Sequence, residues 1–100
     1  VRHLVVSSSG AAYGYHPDHP AWIDEDQPLR GHPAFAYADH KRQVEVLLAQ
    51  ARTEHPALAQ TVLRIGTILG ERLDNQITAL FEKPRLLAVH GHPSPFVFVW

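Results

Sequence analysis

The sequence predicts an α/β domain built on parallel strands. Three observations carry that reading: an opening β-branched run, "HLVVSSS"; a long stretch of helical periodicity, "FAYADHKRQVEVLLAQARTEH"; and a second strand-like run, "TVLRIGTILG". A strand, a helix and another strand in this order favour a parallel pair with the helix as its crossover.

The first strand is expected over residues 3–8, where Leu4, Val5 and Val6 run without alternation, as in a strand buried on both faces. Gly10 and Gly14 then open a turn. Residues 15–33 are rich in Pro, His and Asp with few periodic apolar positions, and are expected to form a long loop, of a length that is usually functional or disordered.

Helical periodicity covers residues 34–54. Tyr37, Lys41, Val44 and Leu48 follow i, i+4, i+7, i+11 along one stripe, which Leu47 and Ala51 widen. The apolar part, Val44, Leu47 and Leu48, is expected to be core. Pro56 closes the helix. A second strand is expected over 61–66, a short helix over 73–82 ended before Pro84, and strands over 86–89 and 96–100 around a His/Gly/Pro turn.

Composition excludes several function classes. The 100 residues are 45% hydrophobic and 19% charged, with a formal net charge of −1 and no cysteine. Acidic and basic residues are interspersed, so there is no electrostatic footprint for nucleic acid or an anionic membrane. Disulfides and thiolate metal sites are impossible, and no apolar run approaches the roughly 20 residues of a spanning helix. A cytoplasmic protein is expected. The chain starts without methionine inside an apolar strand, and is read as internal to a longer polypeptide.

Chemistry gathers at three places in chain order. Ser7, Ser8 and Ser9 end the first strand, where open α/β sheets place their ligands. Tyr37 and Lys41 lie one turn apart on the helix, and "LRIGTILG" follows on the next strand. This order resembles the short-chain dehydrogenase/reductase superfamily, in its extended branch of NAD-dependent epimerases and dehydratases. The matching stretches are "SSSGAAYG", an acidic loop with proline "DEDQP", the Tyr-x-x-x-Lys helix "YADHK" with Glu45 four residues on, and "LRIGTILG".

The resemblance implies the middle of a doubly wound, Rossmann-type dinucleotide-binding fold, without the N-terminal Gly-rich βαβ unit and without the C-terminal substrate portion. It implies an NAD(P)-dependent oxidoreductase or epimerase/dehydratase moving hydride at a secondary alcohol or ketone carbon, with a nucleotide sugar as the commonest substrate. Tyr37 is then the general acid/base, Lys41 its activator and ribose ligand, and Ser9 the hydroxyl on the reacting oxygen. Ser9, Gly10 and Ala11 would line the substrate. Ser7 and Ser8 would face the cofactor or pack at the strand end, and the backbone of Arg64, Ile65, Gly66 and Thr67 would lie near the nicotinamide. NAD and NADP both remain open. A homodimer through the Tyr-x-x-x-Lys helix is implied for the longer parent, and the 100-residue piece alone is expected to be inactive.

The chemistry has a physical basis. A phenol titrates near pH 10 in water, and an ammonium one turn away favours its charged form. Such a pair can exchange a proton with a substrate hydroxyl while hydride moves to or from nicotinamide. Two features depart from the family's pattern: Ile65 stands where proline is common, and His40 precedes Lys41 where a small residue is usual.

Other residues have plainer readings. His16, Asp18 and His19 in "HPDHP", and His90 and His92 in "HGH", lack a third or fourth ligand at a recognised spacing, so they are read as exposed loop histidines and no metal is expected. Asp24, Glu25 and Asp26 are read as solvated. Trp22 either closes over substrate or anchors its loop. The alternatives from other classes are a non-catalytic dinucleotide-binding protein of the same fold, and a small stand-alone metal or scaffold domain.

Overall fold

The computed structural model describes residues 1–86, 88, 90, 91 and 96–100. They form β1 (His3–Ser9), a 3-10 turn (Gly10–Tyr13), α1 (Ala36–Glu54), β2 (Ala59–Ile65), β3 (Thr67–Ile68), α2 (Gln76–Phe81) and β4 (Phe98–Val99). The chain divides into two compact units, Val1–Ile65 and Gly66–Trp100.

In the first unit β1 and β2 pair in parallel, from His3 opposite Ala59 to Ser9 opposite Ile65. This is the strand–helix–strand unit that the periodicity predicts. β2 starts two residues before the expected position, because Ala59 N already donates to Arg2 O at 3.0 Å. The register brings both carboxyl ends level, so Ser8 stands beside Arg64 on one face. That face carries the more protected positions Leu4, Val6, Ser8, Gln60, Val62 and Arg64. On the other face Val5 and Leu63 are exposed and His3 Nε2 meets Thr61 Oγ1 at 2.8 Å. The unalternated Leu4–Val6 run suggests burial on both faces, but among the described residues of this unit one face is the more protected.

The most buried apolar atoms lie where the 3-10 turn meets α1. Ala11, Ala12, Tyr13 and Ala38 are buried, and the absence of bulk at Ala12 and Ala38 suits a close approach of helix to turn. Phe35 rather than Ala34 caps α1, with Phe35 N donating to His32 O at 2.9 Å, so the helix starts two residues later than the pattern predicts. Its end is as expected: His55 N donates to Ala51 O at 2.8 Å, and Pro56 follows.

The face that α1 buries differs from the expected one. Val44 and Leu47 are 43% and 63% exposed, whereas Ala38 and Glu45 are buried and Leu48 is half-buried. The helix is rotated so that a carboxylate, not the apolar row, meets the strands. Tyr37 lies beyond that contact and is exposed.

The second unit is smaller. β3 and β4 pair in parallel, Thr67 with Phe98 and Ile68 with Val99. Thr67 N donates to Val97 O at 2.9 Å and Leu69 N to Val99 O at 2.8 Å. Gly66 sits so close to this strand that a Cβ would come within 2.7 Å of Val97 O. "LRIGTILG" is therefore not one strand to residue 66: β2 ends at Ile65 and pairing resumes at Thr67. Phe81, Phe96 and Phe98 pack with ring centroids 5.7–6.3 Å apart. The helix expected over 73–82 is confined to Gln76–Phe81, because Asn75 caps it through bonds from Ile77 N and Thr78 N. Of the strand expected over 86–89, Leu86 and Ala88 are not in a strand, and residues 87 and 89 lie outside the described set. The strand expected over 96–100 is limited to Phe98–Val99.

The architecture is mixed α/β with two separate parallel strand pairs, one in each unit, as partial sheets of a Rossmann-type fragment. No helix is long and apolar enough to cross a membrane among the described residues.

Gly14 locks the turn to the long loop. Its φ is +83°, and a Cβ there would approach Gly31 O to 1.9 Å. Gly14→Ala is therefore expected to lower stability by about 2 kcal/mol or more. Gly70→Ala, where an added Cβ meets nothing within 4 Å, should change it by less than about 1 kcal/mol. Thermal unfolding of the two variants checks the contrast.

Candidate functional site

Three consecutive serines at the end of β1 have three different fates. Ser7 offers its carbonyl to Lys41 Nζ at 3.3 Å. Ser8 is buried and its hydroxyl donates to Glu45 Oε1 at 2.5 Å. Ser9 Oγ accepts from Ala11 N at 3.2 Å and so caps the 3-10 turn. Strand alternation explains the division, since Ser8 points to the helix face while its neighbours point away. Ser8 thus lies at the strand end, buried against α1.

Tyr37 and Lys41 come together as i, i+4 partners. Lys41 Nζ lies 5.6 Å from the Tyr37 ring centroid, within cation–π range. An ammonium has three N–H donors, and among the described residues one is engaged, with Ser7 O. Lys41 thus joins the start of α1 to the end of β1, two residues from Ser9. No hydrogen bond links Ser9 to Tyr37 among the described residues. Gly10 keeps this edge open, since an added Cβ would find only Ile65 O, at 3.9 Å.

Behind this edge lies a network that sequence reasoning missed. Glu45, 7% exposed, receives Arg64 through Nε at 3.1 and 3.0 Å and through Nη2 at 2.8 Å. Arg64 Nη1 donates to Tyr13 Oη at 2.7 Å and to Glu25 O at 3.2 Å, and its guanidinium carbon is 5.0 Å from the Tyr13 ring centroid. Tyr13 Oη in turn donates to Asp24 O at 2.9 Å. The Arg64 side chain is the hub of the network, whereas the sequence reading gave it only a backbone role. Glu45 four residues after Lys41, and Arg64 in Leu-Arg, were both visible as motif positions, but no rule of spacing pairs two residues on different elements.

Electrostatics explain the arrangement. Burial pushes the Glu45 carboxyl up, but the bonds from Arg64 and Ser8 outweigh it and hold it below its ordinary 4.5. The bond to Glu45 pushes the Arg64 guanidinium further above its already high value. Removing Arg64 would leave the buried Glu45 carboxylate without its cation, a loss of about 3–5 kcal/mol in comparable cases.

The loop residues correct two further expectations. His16 Nε2 meets Gly31 O at 2.8 Å and His19 Nε2 meets Tyr13 O at 3.1 Å, so these histidines are half-buried loop staples rather than free side chains. Asp18 pairs with Arg30 at 2.9 Å. Among the described residues no group of three or more His, Asp or Glu side chains is arranged to hold a metal; His92 lies outside them. Trp22 is exposed. Asp24, Glu25 and Asp26 are exposed as expected, yet two of their carbonyls dock the loop on Tyr13 and Arg64.

Comparison with known proteins gives the family. The NAD dependent epimerase/dehydratase family matches residues 1–92. The chain belongs to this family. An uncharacterized protein of Mycobacterium bovis and uncharacterized proteins of two Mycobacterium tuberculosis strains are each 22% identical to it over 94 residues. The aligned part is 94% of this chain and 25% of each relative, so the chain spans about a quarter of the length of the curated relatives it matches. No solved structure matches. Membership makes the coarse reading plain: an NAD-dependent epimerase/dehydratase-like protein, with NAD(P) as the implied cofactor.

The Glu45 carboxyl yields a pH signature. Its folded value is depressed, so its stabilisation is complete above the unfolded value near 4.5 and is lost as pH falls through the lower folded value. The stability gap between the parent and Glu45→Gln is expected to be widest near neutrality and to narrow below about pH 4. Denaturant titrations at pH 7 and pH 3.5 measure the two gaps.

Proposed function

We propose that the protein carrying this chain is an NAD(P)-dependent oxidoreductase or epimerase/dehydratase acting at a secondary alcohol or ketone carbon, with Tyr37, Lys41 and Ser9 as its working groups. The observation that carries the reading is Lys41, whose ammonium sits by the Tyr37 ring and on the Ser7 carbonyl. That position ties the phenol on α1 to the hydroxyl-bearing end of β1.

The residues present fit one part of the cofactor. Among the described residues Lys41 keeps donors free after bonding Ser7 O, and exposed Ser7 and half-buried Ser9 add hydroxyls at an open strand edge. Such a set suits the hydroxyls of a nicotinamide ribose. The glycines of "GAAYG" do not seat the pyrophosphate, because they are spent on a 3-10 turn and on the contact with Gly31. A bound dinucleotide supplies or takes up the hydride.

The chain's own residues handle the proton. Tyr37 Oη passes a proton to, or accepts one from, the substrate oxygen, and Lys41 stabilises the negative charge that its oxygen carries. Ser9 Oγ, which accepts from Ala11 N, keeps its own proton to donate to the reacting oxygen. The buried Glu45–Arg64 pair touches no reacting atom and holds the two strand ends in place. The same reading has a homodimer through α1, where Val44 and Leu47 are exposed.

A non-catalytic dinucleotide-binding protein is the competing class. It has no need of a phenol beside an ammonium, and both are kept. Tyr37→Phe in the full-length protein is expected to lower hydride transfer by about 100-fold or more and to leave dinucleotide affinity unchanged. Lys41→Met should impair both. Unchanged turnover in Tyr37→Phe would end the catalytic reading.

A further inference from the structure

We propose that Tyr13 is the positioning residue for Ser9: held at its phenol by Arg64, it fixes the 3-10 turn whose Ala11 N–H aims the Ser9 hydroxyl. The inference rests on Ser9 acting at the reacting oxygen, as the proposed function has it, and adds the group that orients it.

A serine at an open strand edge has three staggered positions for its hydroxyl, and only one faces a given substrate atom. Ser9 is half-buried, and its Oγ accepts from Ala11 N at 3.2 Å. Among the described residues that is the one hydrogen bond its hydroxyl makes. The direction of Ser9 Oγ is therefore no better fixed than the turn. Gly10, between the two, has no side chain, and a Cβ there would find only Ile65 O at 3.9 Å. Ala11 and Ala12 are buried, but their methyl groups give non-directional contact. Direction comes from the far end of the turn.

Tyr13 is the one large side chain of the turn, and it is 8% exposed. Its Oη accepts from Arg64 Nη1 at 2.7 Å and donates to Asp24 O at 2.9 Å. Its ring lies 5.0 Å from the guanidinium carbon, and its carbonyl meets His19 Nε2 at 3.1 Å. Arg64 is in turn paired with buried Glu45, so one side chain ties the turn to both β2 and α1. Gly14 N closes the turn on Ala11 O, and Gly31 N donates to Ala12 O, both at 2.9 Å.

These bonds use up the phenol, which accepts one and gives its only proton to a carbonyl. Tyr13 thus has no proton for a substrate and acts through Ser9. The path runs from Arg64 through Tyr13 and Ala11 N to the Ser9 oxygen, whose own proton is left for the reacting oxygen.

The test compares the full-length parent with Tyr13→Phe, Ser9→Ala and the double variant. Tyr13→Phe keeps the ring beside Arg64 and removes both Oη bonds. Two quantities are measured: NADH formation from NAD⁺ and 2-propanol, and amide hydrogen exchange at Ala11. Tyr13→Phe is expected to lower kcat about tenfold with the KM for NAD⁺ unchanged, and to add no further loss to Ser9→Ala. Exchange at Ala11 should quicken about tenfold, well beyond any change in the β1–β2 ladder, whose protection shows that the variant is folded. Parent-like turnover in Tyr13→Phe overturns the proposal. So does an equal loss in both backgrounds, which would mean that Tyr13 acts apart from Ser9. A common rise in exchange at Ala11 and along the ladder, the mark of lowered stability alone, overturns it too. Failure of the underlying reading looks different: Ser9→Ala then turns over like the parent, while exchange at Ala11 still shows whether Tyr13 holds the turn.

Discussion

The carboxylate of Glu45, held beneath Ser8 and gripped by Arg64, is the constraint on which the ends of β1 and β2 depend. One residue comes from α1, one from each strand, and Tyr13 extends the cluster to the 3-10 turn. A buried ion pair is a poor source of net stability compared with an apolar replacement. Its use here is geometric. Directional bonds fix where α1 lies along the strand ends, which a row of alanines and half-buried leucines cannot do alone.

That placement has consequences at the surface. Glu45 is four residues, one helical turn, beyond Lys41, so a helix held by Glu45 presents Lys41 to Ser7 and Tyr37 to solvent. The same arginine reaches the carbonyl of Glu25, and Tyr13 reaches that of Asp24, so the long loop is tied to the same hub. The site is thus assembled by backbone carbonyls and one buried pair. It is the carbonyls of Asp24 and Glu25, not their carboxylates, that accept from Tyr13 and Arg64.

Much of the fold was legible in the sequence because local patterns carry it. β1, α1 and their parallel partner follow from the apolar run, the helical period and Pro56. The pairing of Tyr37 with Lys41 follows from i, i+4 spacing, and the structure brings the two together. What was not legible is long-range. The rotation of α1 depends on Glu45 finding Arg64, 19 positions on, and a rule that places apolar residues inside gives Val44 and Leu47 the wrong side. His16 and His19 were misplaced for a similar reason: their bonds to Gly31 and Tyr13 carbonyls arise from the path of the loop. Arg64 looked like a backbone position because its motif says nothing of where its side chain goes.

The most direct test of this account is a double-mutant cycle on Glu45 and Arg64, read as unfolding free energies of the parent, Glu45→Ala, Arg64→Ala and the double variant. A clamp made by this pair predicts strong non-additivity, with a coupling of about 1.5 kcal/mol or more, and a double variant no less stable than the worse single one. Additive effects, with coupling below about 0.5 kcal/mol, would mean that the strand ends are held by something else.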